Sequence, residues 1–173
     1  PLGFFLMTGS DSLHKHPHLP ETGPFSIGRF QPSDRDGFMQ LWAAYEDNAP
    51  PERDRLVAAE SNWRALMAEG GALYGLCLRG DDKKPAGFAL YVHHFCTKFP
   101  GQECYLNDLY VAETCRRKGG GKALLDTLIK ECREQGLFRL SWITRPDNDR
   151  AQSLYNRYSA GTNYVRYKVP LKG

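Results

Sequence analysis

Apolar residues recur along the chain first at helical and then at strand spacing. Ile27 to Phe30 predicts a short strand. Pro32-Ser33-Asp34 then offers a turn and an N-cap ahead of Phe38, Leu41, Trp42 and Tyr45, which share one helical face and predict a helix from about Ser33 to Asp47. Pro50-Pro51 breaks it, and a second helical stripe follows with Leu56, Val57, Trp63, Leu66 and Met67, closed by Gly70-Gly71. Residues 72–79 and 86–95 are apolar and aromatic-rich, and the Gly, Asp, Lys and Pro between them are turn residues, so these runs predict an antiparallel hairpin. Glu103 to Val111 predicts another strand. Gly119-Gly120-Gly121 leads from it into a helix whose apolar stripe is Leu124, Leu125, Leu128, Ile129 and Cys132, ending at Gly136. Leu137 to Ile143 reads as a strand, a loop with Pro146 precedes a helix carrying Ala151, Leu154, Tyr155 and Tyr158, and Asn163 to Val169 reads as a last strand. Strand, helix, strand implies a locally parallel pair. The fold class is therefore α/β: a twisted mixed sheet with helices on both faces.

Length adds that 173 residues suit one domain. With 41% hydrophobic and 25% charged residues, the composition excludes a coiled coil, a collagen or a wholly disordered chain. Residues 1–24 gather Ser, His, Pro and Gly and are expected to form a disordered tail, with residues 25–173 the folded domain. Met7 is expected to be the native start, preceded by a vector-derived remnant. His14, His16 and His18 alternate in that tail but have no second ligand cluster, so no metal is expected. The five cysteines include no CxxC pair, which points away from a disulfide framework or zinc knuckle and toward a reducing, cytoplasmic compartment. A net charge of +3 gives no reason to expect a nucleic acid, and no apolar run approaches a membrane span.

Arg116-Arg117-Lys118-Gly119-Gly120-Gly121-Lys122 lies between a predicted strand and a helix start, where unpaired N–H groups and the helix dipole favour an anion. It is not a P-loop, which needs Gly where this chain has Arg116 and Ser or Thr where it has Ala123; a GxGxxG loop would need Gly at Leu124. The pattern it does fit is Arg or Gln, x, x, Gly, x, Gly or Ala over Arg116 to Gly121. In element order and in this loop, residues 26 to 169 resemble the GNAT family of acetyl-CoA-dependent N-acetyltransferases. The resemblance implies the GNAT acyl-CoA N-acyltransferase fold and places the CoA pyrophosphate on Arg116, Arg117, Lys118, Gly119, Gly120, Gly121 and Lys122. It implies that a bulge splays the strand at Leu109, Tyr110 and Val111, whose main chain then pairs with pantetheine. Asn148 would hydrogen-bond the cofactor or, on a local reading, cap the following helix.

Acetyl transfer to an amine needs a neutral amine, a stabilised oxyanion and a proton for the departing thiolate. The match Asn148-x6-Tyr155 implies Tyr155 as the general acid; the alternative is a half-buried tyrosine completing a helix face. Asp108, acidic within an apolar strand, would take the amine's proton or hold the cationic amine, or form a structural ion pair. Tyr105 to Val111, together with Tyr45-Glu46, is similar to the diamine (spermidine/spermine) acetyltransferase branch, so Tyr45, Glu46 and Asn107 would line the acceptor site. That branch carries Glu where Asn107 stands. His93 or His94 could also face the acceptor as a base.

The resulting expectation is a homodimeric enzyme, with acetyl-CoA as co-substrate and no metal, acetylating a small-molecule primary amine by direct attack in a ternary complex. The alternatives are a protein or histone lysine acetyltransferase, and a non-catalytic acetyl-CoA sensor.

Overall fold

The computed structural model describes residues 25–45 and 52–171. The elements run β1 (Ser26–Gly28), α1 (Arg35–Ala44), α2 (Glu52–Met67), β2 (Leu73–Arg79), β3 (Pro85–Phe95), β4 (Gln102–Val111), α3 (Gly120–Glu134), β5 (Leu140–Ser141) and α4 (Asp149–Tyr155). They form one five-stranded sheet in the order β1-β2-β3-β4-β5, antiparallel except for the parallel β4–β5 pair.

Helices cover both faces because the strands carry apolar side chains on both. On one face α3 buries Leu124, Leu125, Leu128 and Cys132 against Leu76, Leu78, Tyr91 and Leu106. On the other, α1 and α2 bury Phe38, Leu41 and Trp63 against Phe30, Cys77, Phe88 and Tyr110. Edge-on packing of Phe30 against Phe38 and Trp63, with centroids 5.3 and 5.9 Å apart, tightens this second layer. Gly120 opens α3 where a Cβ would come within 2.9 Å of Leu78 Cδ2, so its bare backbone lets the helix lie close on the sheet. Among the described residues no helix is long and apolar enough to cross a membrane.

The structure corrects the sequence reading at the C-terminal end. The strand expected over Leu137 to Ile143 is reduced to Leu140–Ser141, because β4 carries a bulge and parts from β5 immediately afterwards. The strand expected over Asn163 to Val169 is absent: Tyr164 is 86% exposed and Tyr167 89%. Strand propensity records how well a residue packs on a pleated surface, and a two-residue edge offers too short a ladder to dock against. Asp47, the expected end of the first helix, lies outside the described residues.

Candidate active site

The bulge in β4 organises the site. Leu90 pairs with Asp108 and Tyr91 with Leu106, leaving Asn107 as the extra residue. Since side chains alternate along a strand, one inserted residue exchanges the faces of everything after it. Cys104 and Leu106 face α3, yet beyond the bulge it is Leu109 and Val111 that pack on that side, while Tyr110 packs with α1 and α2. Asp108 goes with Tyr110. It accepts a hydrogen bond from the Tyr45 hydroxyl at 3.2 Å, joining the end of α1 to the middle of β4.

Because β4 and β5 pair only at Cys104–Leu140 and Tyr105–Ser141, the sheet splits beyond them. A cleft of about 860 Å³ opens there, lined by Leu106 to Val111 except Asp108, by the glycine loop, by Trp142 to Arg145 and by α4, with Tyr45 at the α1 end. Its volume is in the range of ligand sites. Within the loop the glycines have distinct uses. Gly119 adopts φ 87° with open space beside it, Gly120 packs on the sheet, and Gly121 leaves room for Leu154 of α4, whose Cδ2 a Cβ would approach to 3.3 Å. The first N–H groups of α3 have no helical acceptors, and the residues that carry them, Gly120, Gly121 and Lys122, line the cleft.

Arg116 is held inside the fold: its Nε donates to the Val111 carbonyl at 3.1 Å, its guanidinium pairs with Glu113 at 3.2 Å, and it lies 5.7 Å from the Tyr110 ring centroid. Lys122 is tied to Asp126 at 2.6 Å. Arg117, with a left-handed φ of 60°, also lines the cleft, whereas Lys118 does not. On the opposite wall, the side-chain oxygen of Asn148 accepts from the Ala151 amide at 3.1 Å, so Asn148 caps α4 while also lining the cleft. Tyr155 projects into the cleft from α4 and packs against Trp142, with centroids 5.3 Å apart. Tyr158, on the same helix end, donates to Asp126 Oδ1 at 2.7 Å and anchors α4 to α3.

Most of the residues expected at the site therefore meet here: Tyr45, Asn107, Leu109, Tyr110, Val111, Arg116, Arg117, the three glycines, Lys122, Asn148 and Tyr155. Asp108 does not line the cleft but accepts a hydrogen bond from Tyr45, which does, and Glu46 lies outside the described residues. Neither histidine lines it. His93 stacks on Tyr74 at 4.5 Å, and His94 pairs with Glu103 at 3.4 Å. Sequence reading missed Trp142, Thr144, Arg145, Arg150 and Arg157, which also line the cleft. The helical spacing of Arg150 and Arg157 could have suggested a shared face, but nothing local tells which cavity that face borders.

This lining suits a long, anionic, partly apolar ligand such as acetyl-CoA: a cationic loop and helix start at one end, and the bulged strand with Trp142 and Tyr155 beyond. Burial, followed by the charges of Arg116 and Arg117, lowers the pKa of Arg150, while Glu113 and Tyr110 oppose the shift. Among the described residues no cluster of His, Cys, Asp and Glu could hold a metal.

Residues 35–159 match the sequence profile of the Acetyltransferase (GNAT) family. The chain is similar to the D-amino-acid N-acetyltransferase HPA3 of Saccharomyces cerevisiae, 30% identical over 147 residues that cover 82% of this chain and 88% of that protein. It is also similar to the L-ornithine N5-acetyltransferase NATA1 of Arabidopsis thaliana, 32% identical over 80 residues, 46% of this chain and 35% of the relative. The solved structure of a ribosomal-protein-alanine N-acetyltransferase from Brucella melitensis superposes with a TM-score of 0.71 at 22% identity, covering 85% of this chain and 99% of that one, which shows a shared fold.

Proposed function

The chain belongs to the GNAT family and is an acetyl-CoA-dependent N-acetyltransferase, and from that premise we propose that it acetylates the primary amine of a small amino-acid-like or diamine molecule. The observation that carries this reading is the Tyr45–Asp108 hydrogen bond at the α1 end of the cleft. With the acceptor amine beside Tyr45, a carboxylate would stand one hydroxyl away, able to attract an ammonium group and take its proton. HPA3 and NATA1 are named for amino-acid substrates, one a D-amino acid and the other L-ornithine, which supports an acceptor of that size. The likeness of Tyr105 to Val111 to the diamine branch supports a diamine on the same grounds.

Loss of an amine proton is required first, since an amine of pKa about 10.4 is almost wholly charged at neutral pH. Tyr45 would receive that proton and pass its own to Asp108. The amine nitrogen then attacks the thioester carbonyl carbon, main-chain amides of the splayed strand at Leu109 to Val111 would stabilise the oxyanion, and as the carbon–sulfur bond breaks the nitrogen gives up its second proton to solvent. Tyr155 would protonate the departing thiolate and regain its proton from solvent. Asn107 lies exposed at the bulge, where it would meet the acceptor. A cytoplasmic homodimer completes the proposal, and sedimentation velocity checks the dimer.

Thiol release from acetyl-CoA across D- and L-amino acids, diamines and lysine-bearing peptides tests the acceptor. Turnover is expected with a free amino acid or diamine at far higher kcat/KM than with any peptide; a preferred peptide would overturn it. Tyr155→Phe is expected to lower kcat by about 100-fold or more while CoA still raises the melting temperature. Unchanged turnover would remove Tyr155 from the reaction.

A further inference from the structure

The two strands that border the cleft end their pairing at Tyr105–Ser141, so Leu106 and Trp142 are the first residues on either side of the split. Both line the cleft. Leu106 is 3% exposed and belongs to the core under α3, against which Trp142 and Tyr155 also pack. The Trp142 indole and the Tyr155 phenol meet with centroids 5.3 Å apart and planes inclined at 58°. Apolar surface thus reaches the apex of the split from β4, β5 and α4.

That corner has little room to give. Asn148 caps the start of α4, Leu154 lies against Gly121, and Tyr158, just past the helix end, donates to Asp126 Oδ1 of α3 at 2.7 Å. Trp142 stands one residue beyond the last ladder pair of β5, and Leu106 one residue before the extra residue Asn107. A close-packed apolar corner resists added volume, since an extra methylene forces side chains from their rotamers. Tryptophan is the largest side chain, and at the first open position of β5 it fills space that a smaller residue would leave to a ligand.

We propose that Trp142 is a specificity-determining residue that sets the length of the acyl group: its indole, with Leu106, closes the apex of the cleft so that acetyl fits beyond the sulfur and longer acyl chains do not. This rests on the acetyl-CoA reading and deepens it. With the phosphates at the glycine loop and the sulfur beside Tyr155, the ligand lies along Leu109 to Val111 toward the split, and its acyl carbons are the part that reaches the corner. The indole also touches Tyr155, so the residue that gauges the acyl group and the one beside the sulfur are fixed against each other.

Isothermal titration calorimetry of the full chain and of Trp142→Leu and Trp142→Phe, with CoA, acetyl-CoA, propionyl-CoA and butyryl-CoA, tests the filter. The unaltered protein is expected to bind propionyl-CoA about tenfold or more weakly than acetyl-CoA, and butyryl-CoA more weakly still. Trp142→Leu should bind the three thioesters within a few fold of one another. Trp142→Phe, which keeps an aromatic ring against Tyr155, should admit propionyl but not butyryl, and it decides the matter alone if the leucine variant does not fold. CoA, which has no acyl group, should bind all three proteins alike, which separates a filter from general damage to the cleft. Equal affinity of the unaltered protein for acetyl-CoA and propionyl-CoA would overturn the filter, as would variants that lose affinity for CoA and every thioester by one factor. If the unaltered protein binds neither CoA nor acetyl-CoA, the acetyl-CoA reading itself fails.

Discussion

Replacing Glu131 by Leu isolates the energetics of the polar cluster that pins α3 to the sheet. Glu131 has a side chain only 10% exposed and accepts from Arg29 Nη2 at 2.9 Å and from the Tyr91 hydroxyl at 2.8 Å. Arg29, with a side chain 21% exposed, also bonds Tyr91. The three join the chain after β1, the middle of β3 and the C-terminal half of α3. Burial raises the pKa of Tyr91, so its hydroxyl stays protonated as a donor. Leucine fits the carboxylate's space but leaves a guanidinium and a phenol without their acceptor. Breaking one side of a buried ion pair costs about 3–5 kcal/mol. For a chain of this length that lowers the melting temperature by roughly 6–20 °C. Removing every polar member in Arg29→Met/Tyr91→Phe/Glu131→Leu should recover most of the loss, because no desolvated group is then stranded. Equilibrium urea unfolding of the single and triple variants measures both. A wild-type midpoint for Glu131→Leu, or a triple variant weaker than the single, would refute the reasoning.

Further predictions concern pH and backbone space. Burial, with the nearby Arg29 charge, lowers the pKa of His93, while Glu131 opposes the shift. The unfolded chain then takes up a proton first as pH falls through about 6.5, so the stability His93 contributes is complete above that value and declines below it. His93→Phe keeps the stack on Tyr74 and should flatten this part of the stability curve in urea titrations at successive pH; an unchanged slope assigns the effect to another group. At Gly87 a Cβ would lie 2.6 Å from the Tyr110 carbonyl oxygen and 3.2 Å from Val111 Cα. Backbone cannot yield as a side-chain tip can, so Gly87→Ala should cost about 3 kcal/mol and weaken CoA binding by displacing the strand at the cleft. An unperturbed melting temperature would show that β4 gives way there freely.

Much of this architecture was legible locally. The apolar stripe of α3, the stop at Gly136, the hairpin of β2 and β3, and the glycine loop before a helix all depend on neighbours within a few turns. Tyr155 and the basic loop became candidates through the family resemblance, and both line the cleft. What required the folded molecule depends on pairing between distant segments. The extra residue at Asn107 reverses the faces of β4, which is why Asp108 meets Tyr45; alternation along the strand alone would have set Asp108 on the same side as Leu106. The strand expected at Asn163 to Val169 had the right composition and no edge to join. Arg150 is an unremarked helix residue until α4 folds across from the glycine loop. Periodicity encodes which side of an element is apolar, but register and the far wall of a cleft belong to contacts between segments, and those exist only once the sheet has closed.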